Sequence, residues 1–122
     1  MTLIKEPRWR HVIFDDMVSL TFREYLERGG SVVDSARDLA GALRFLTEHV
    51  YSTIWIDLQL TGTSTSQCLA FLETMKRSAP GARIVAVSGF ASRGMEQQAT
   101  DAGADRFVRK PFDARSVAAM LT

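Results

Sequence analysis

Five polar residues of this chain share one kind of position: each stands at the end of a short apolar run. Asp15 and Asp16 follow Val12-Ile13-Phe14, Asp57 follows Ile54-Trp55-Ile56, and Ser88 follows Ile84-Val85-Ala86-Val87. Lys110 follows Phe107-Val108-Arg109 and precedes Pro111. Converging carboxylates repel one another, and a hard divalent cation relieves that repulsion. Mg²⁺ takes carboxylates, a carbonyl and several waters. No His or Cys belongs to the pattern, which argues against a soft transition-metal site. A lysine and a hydroxyl facing a metal-bound carboxylate are what a transferred phosphoryl group needs. The cation and the ammonium neutralise its oxygens, the hydroxyl donates a further hydrogen bond, and one carboxylate remains as nucleophile. Taken singly, each residue also has an ordinary structural use: an acidic pair caps a helix, Lys-Pro makes a turn, and a serine ends a strand. It is the set, in this order and at strand ends, that points to chemistry.

The elements that would position these groups can be read from the periodicity. The strand candidates are residues 11–14, 31–34, 53–56, 83–87 and Arg106–Arg109. The second is the weakest, and the third and fourth are unbroken apolar runs of the kind buried on both faces. Between them lie helical patterns. One spans residues 18–28 and stops at Gly29-Gly30, and another carries Leu39, Ala42, Leu43 and Leu46 on one face. A third carries Leu69, Phe71, Leu72 and Met75, with Ser64 or Ser66 as its cap, and ends at the Pro80-Gly81 turn. A fourth runs from a Ser92 cap to about Ala102, before Gly103, and a short last helix follows Asp113, with Val117 and Leu121 four apart. Strict alternation of strand and helix predicts an α/β domain with a parallel sheet. In such sheets ligands bind at the carboxyl ends of the strands.

The chain has 122 residues, enough for one domain, and 46% of them are hydrophobic. The expected organisation is a short polar lead-in over residues 1–10 and one domain over residues 11–122. Fifteen basic and 14 acidic side chains give a formal charge of +1. That balance argues against a nucleic-acid surface on this domain. No apolar run approaches the roughly 20 residues of a membrane span, and residues 1–10 lack the apolar segment of a secretory signal. The single cysteine, Cys68, allows no internal disulfide and reads as a small core residue. A cytoplasmic location fits.

These residues resemble the receiver domain of bacterial two-component response regulators, of the chemotaxis-regulator-like kind, over nearly the whole chain. The acidic pair Asp15-Asp16, Asp57, Ser88, Phe107 and Lys110-Pro111 carry the resemblance. The run Gly103-Ala104-Asp105-Arg106-Phe107-Val108-Arg109-Lys110-Pro111-Phe112 is especially similar to that family. The resemblance implies a flavodoxin-like, doubly wound five-stranded parallel sheet of order 2-1-3-4-5 with five helices. It implies that Asp57 is the phosphoacceptor for a sensor histidine kinase or a histidine phosphotransfer protein. Mg²⁺ would be held by Asp16, Asp57 and the backbone carbonyl of Gln59, with Asp15 reaching it through water. Lys110 would pair with the phosphoryl oxygens. Ser88 and Phe107 would be the switch residues, moving the face made by the fourth helix, fifth strand and fifth helix. The family assists its own phosphorylation and dephosphorylation and is not a turnover enzyme. Partners implied are the phosphodonor and a downstream effector domain or protein, and one form of output would be a phosphorylation-dependent homodimer.

The chain departs from the family pattern at several positions. Leu60-Thr61 stands where Met-Pro is usual, which predicts a looser loop beside the metal. Met17 replaces a polar residue. Ser88-Gly89 replaces Thr-Ala, which predicts easier entry to the site over Gly89. Gln59 and Phe90 flank that entry and are expected to set phosphoryl lifetime, Gln59 by orienting a water and Phe90 by shielding. Two other readings compete. One is a phosphorylation-independent pseudo-receiver that acts as an interaction module. The other is a haloacid-dehalogenase-type phosphatase, disfavoured because Gln59 stands where its general acid belongs and an amide cannot transfer that proton.

Overall fold

A computed structural model describes residues 10–14, 20–36, 38–59, 63–89 and 93–110. Five strands and four helices alternate along them: β1 (Arg10–Phe14), α1 (Leu20–Arg28), β2 (Val32–Ala36), α2 (Leu39–Glu48), β3 (Thr53–Asp57), α3 (Thr65–Ser78), β4 (Arg83–Ser88), α4 (Arg93–Ala102) and β5 (Arg106–Arg109). The strands form one parallel sheet in the order β2-β1-β3-β4-β5, the expected doubly wound topology. The final helix expected after Asp113 lies outside the described residues, as do residues 1–9 of the lead-in.

The burial pattern follows the sheet order. Every residue of central strand β3 is buried, and all of β4 after Arg83. The outer strand β5 buries only Val108. The main core lies between the sheet and the helices α2, α3 and α4, with Ile54, Ile56, Leu58, Leu72, Met75 and Ile84 all excluded from solvent. Trp55 and Val85 are buried beside them in the same two strands, where side chains alternate between the two faces. Cys68 is fully buried within α3, a packing residue as its apolar setting suggested. Among the described residues no helix is long and apolar enough to cross a membrane.

Helix starts follow capping chemistry. The Asp38 carboxylate accepts the Gly41 N–H at 2.7 Å and opens α2. Ser64, rather than Ser66, caps α3: its hydroxyl accepts the Gln67 N–H at 3.1 Å, while Gln67 Oε1 accepts the Ser64 N–H at 2.9 Å. This reciprocal box needs a Glu or Gln three residues on, and only Ser64 has one. Strand β2 ends at Ala36, two residues beyond the expected limit, because Ser35 and Ala36 continue the parallel pairing with Ile13 and Phe14.

Strand β5 is fastened to β4 at both ends. At its entry the Asp105 N–H donates to Ile84 O at 2.8 Å, and Asp105 Oδ2 accepts the Ile84 N–H at 2.8 Å. Lys76 on α3 reaches the same carboxylate at 3.2 Å. The turn that delivers Asp105 depends on Gly103, whose φ is +115°. A Cβ there would sit 2.9 Å from Lys76 Cγ. Gly103→Ala is therefore expected to destabilise the fold by about 1–3 kcal/mol, from the unfavourable backbone region and the displaced Lys76 stem. A urea denaturation midpoint unchanged from wild type would contradict this.

Candidate functional site

The site forms where β3, β4 and β5 end together. Strand pairing sets Asp57 beside Val87 and Ser88 beside Arg109. Asp57 and Ser88 close their strands, and Lys110 is the first residue beyond β5. The ladder continues past the strand ends, with the Leu58 N–H donating to Val87 O at 2.9 Å and the Lys110 N–H donating to Ser88 O at 2.9 Å. Three residues scattered over more than 50 positions of sequence are thereby held at one edge by main-chain hydrogen bonds.

Asp57 is a carboxylate in the interior, 4% exposed. Burying a charge is costly unless it is paired and hydrogen-bonded. Both needs are met. Oδ2 accepts from Lys110 Nζ at 2.5 Å, and Oδ1 accepts the Gln59 N–H at 2.8 Å. The Lys110 side chain is 34% exposed, so its ammonium lies between the carboxylate and solvent. Ser88 is fully buried. Asp57, Ser88 and Thr53 are the buried polar residues among those described, and the first two belong to this edge. Phe107 is half-buried and packs against the core together with Met95 of α4 and Ala104.

Gln59 does more than its backbone suggested. Its Oε1 accepts the Gly89 N–H at 2.7 Å, so the turn after β3 is tied to the residue that follows β4. A Cβ on Gly89 would lie 3.3 Å from Gln59 Oε1, so this amide packs beside the glycine. Sequence reasoning placed Gln59 at the site but missed this bond. The only available signal was a long amide two residues past Asp57, opposite a glycine past Ser88. Strand β5 also carries an ion pair that spacing did not reveal, Arg109 to Glu96 of α4 at 3.5 Å.

Of the sequence-predicted site residues, the structure brings together Asp57, Ser88, Gln59 and Lys110, with Phe107 one strand position back from Val108. Asp15, Asp16 and Phe90 lie outside the described residues, as does the Leu60-Thr61-Gly62 segment. The Asp57 carboxylate offers oxygen, a donor suited to a hard cation. Among the described residues no cluster of three metal-ligating side chains occurs. Asp57 would thus be the described side-chain ligand of any such ion.

A buried carboxylate paired with a lysine thus lies at the carboxyl edge of a doubly wound parallel sheet, the edge where such folds bind ligands. The profile of the response regulator receiver domain family matches residues 12–122, and the chain belongs to that family. A response regulator protein from Burkholderia pseudomallei, solved with a phosphorylated aspartic acid, a calcium ion and citrate, is 29% identical with a TM-score of 0.84. That alignment covers 93% of this chain and 66% of the other, so this chain spans just under two thirds of its length. NtrX from Brucella abortus is 25% identical with a TM-score of 0.77, over 93% of this chain and 26% of its own. A CheY-like receiver domain protein from Methanospirillum hungatei JF-1 shares the fold at 23% identity and a TM-score of 0.82, covering 93% and 90% of the two chains. Comparison with curated protein sequences finds no match.

Lys110 is the described charge closest to Asp57, and a divalent ion approaching that carboxylate meets its repulsion. Lys110→Met is expected to tighten Mg²⁺ or Ca²⁺ binding by roughly threefold to tenfold, a modest factor because solvent screens a one-third-exposed ammonium. Isothermal titration of both proteins at equal ionic strength checks this, and weaker binding by the variant would contradict it.

Proposed function

We propose that residues 11–122 act as a phosphoacceptor switch, with Asp57 receiving a phosphoryl group from a phosphohistidine of a sensor kinase or phosphotransfer protein. The observation that carries this reading is the 2.5 Å contact between Lys110 Nζ and Asp57 Oδ2 at the carboxyl edge of the sheet. In the transfer, an Asp57 carboxylate oxygen attacks phosphorus. A P–O bond forms as the P–N bond breaks, and the imidazole leaves with a proton from solvent. Lys110 balances charge on the phosphoryl oxygens as it does now on the carboxylate, and the Ser88 hydroxyl supplies a hydrogen bond to them. The Burkholderia protein, with its phosphorylated aspartic acid and calcium ion, supports the same chemistry here.

Asp16, Asp57 and the Gln59 carbonyl, with Asp15 through water, would hold Mg²⁺, which supplies positive charge to the equatorial oxygens. Ser88 and Phe107 carry the change to the face formed by α4, β5 and the following helix, where an effector domain, a partner protein or a second copy docks. Gln59 and Phe90 set how long the phosphoryl group lasts. Gln59 would do so by orienting a water and Phe90 by shielding. The cytoplasm, where histidine kinases present phosphohistidine, is the compartment this function requires.

Intact-protein mass spectrometry after incubation with Mg²⁺ and a small acyl phosphate is the direct test. Wild type is expected to gain one phosphoryl group and Asp57→Asn none. Absence of an adduct on both, with no binding of a phosphoryl mimic, would turn the reading to a pseudo-receiver. For lifetime, the double replacement Gln59→Ala with Phe90→Ala is expected to change the dephosphorylation rate severalfold, and an unchanged rate would remove both residues from that role.

A further inference from the structure

Gln59 makes two hydrogen bonds that join different parts of the site. Its N–H holds the Asp57 carboxylate at 2.8 Å, and its side-chain oxygen holds the Gly89 N–H at 2.7 Å. Gly89 opens the connection from β4 to α4. One residue therefore grips the acceptor carboxylate with its main chain and the facing connection with its side chain. The donor at Gly89 fixes the orientation of the amide, because only the oxygen can accept. The other half of the amide, Nε2, is then turned away from Gly89. It is buried and has no hydrogen-bond partner among the described residues. A buried donor left unmade is unfavourable, and native proteins keep few of them. The glycine is matched to this arrangement, since a Cβ at position 89 would stand 3.3 Å from Oε1.

We infer that Gln59 is a positioning residue, a tether that holds the start of the β4–α4 connection against unmodified Asp57 and is released when Asp57 carries a phosphoryl group. This rests on the receiver reading above. A phosphoryl group adds acceptor oxygens and about −1.5 to −2 charges. The partially negative Oε1 then has the wrong sign for its surroundings, while the Gly89 N–H that it covers and the unmade Nε2 group are both donors. Rotation of the amide away from Gly89 frees the first donor and gives the second an acceptor. The connection to α4 would thus respond through a hydrogen bond that Ser88 does not make.

The test uses the full ¹⁵N-labelled chain and reads the Gly89 amide and the Gln59 side-chain amide by NMR. In the unmodified state Gln59→Leu is expected to lower the Gly89 exchange protection about tenfold, the factor that corresponds to one ordinary hydrogen bond. Gln59→Glu keeps the acceptor and is expected to restore protection to within about threefold of wild type on the same reasoning. Equal protection in wild type and Gln59→Leu, or failure of Gln59→Glu to restore it, would overturn the tether. Should leucine disturb the turn, Gly89→Ala crowds Oε1 from the other side and is expected to lower protection at residue 89 in the same way. Addition of beryllofluoride with Mg²⁺ is then expected to shift the Gln59 side-chain resonances in wild type. A bound mimic that leaves them unmoved would overturn the release. Failure of the mimic to bind at all would count against the receiver reading, and the protection measurements on the unmodified protein would still judge the tether.

Discussion

Everything at this edge depends on pairing one buried carboxylate. Asp57 ends a strand that is buried along its whole length, and its own exposure is only 4%. The compensation comes from Lys110, which directly follows β5, a strand that is not β3's neighbour. β4 lies between, so the lysine must reach across its end. That requires β5 to be fixed in height relative to β4, and the hydrogen bonds at Asp105 and Lys110 do this at its two ends. A slip by one residue would turn Lys110 to the other face, because strand side chains alternate. The Gly103 turn and the Lys76–Asp105 contact, though remote from Asp57, thus help to set the geometry of the charge pair.

The parts of this arrangement that were legible in the sequence are those in which each polar residue ends its own apolar run. Asp57, Ser88 and Lys110 could be placed at strand ends because β3 and β4 are continuous stretches of Ile, Val, Ala and Trp, and because parallel order carries all such ends to one side. The sheet order itself came through the family resemblance, since periodicity alone does not say which strand lies at the centre. β2 was the least legible strand. Its residues Asp34 and Ser35 are half-buried and break the apolar pattern, and Asp34 is held instead by the Tyr51 hydroxyl at 2.6 Å. That partner is 17 residues away and only the fold reveals it.

The tie between Gln59 and Gly89 was illegible for a related reason. Both residues lie in connections, where spacing carries no period and where approach depends on how two turns happen to face each other. Sequence shows a glycine in place of a side chain over the site, and says nothing of what lies beside it. The fold brings a glutamine amide against that glycine.

The same care applies to the pairing of Arg109 with Glu96. Arg109 and Lys110 are adjacent in sequence, yet one faces α4 and the other Asp57. The Arg109–Glu96 pair is attractive as a lock between α4 and β5, but both side chains are more than half exposed, and exposed pairs of this kind contribute little. Burial tells a different story. Ala99 and Ala102 of α4 are buried, and Met95 and Phe107 pack against the same core. The position of α4 against β5 therefore rests mainly on apolar contact. The apolar faces of Ala99, Ala102, Met95 and Phe107, rather than the exposed ion pair, are thus what a change in α4 would have to rearrange.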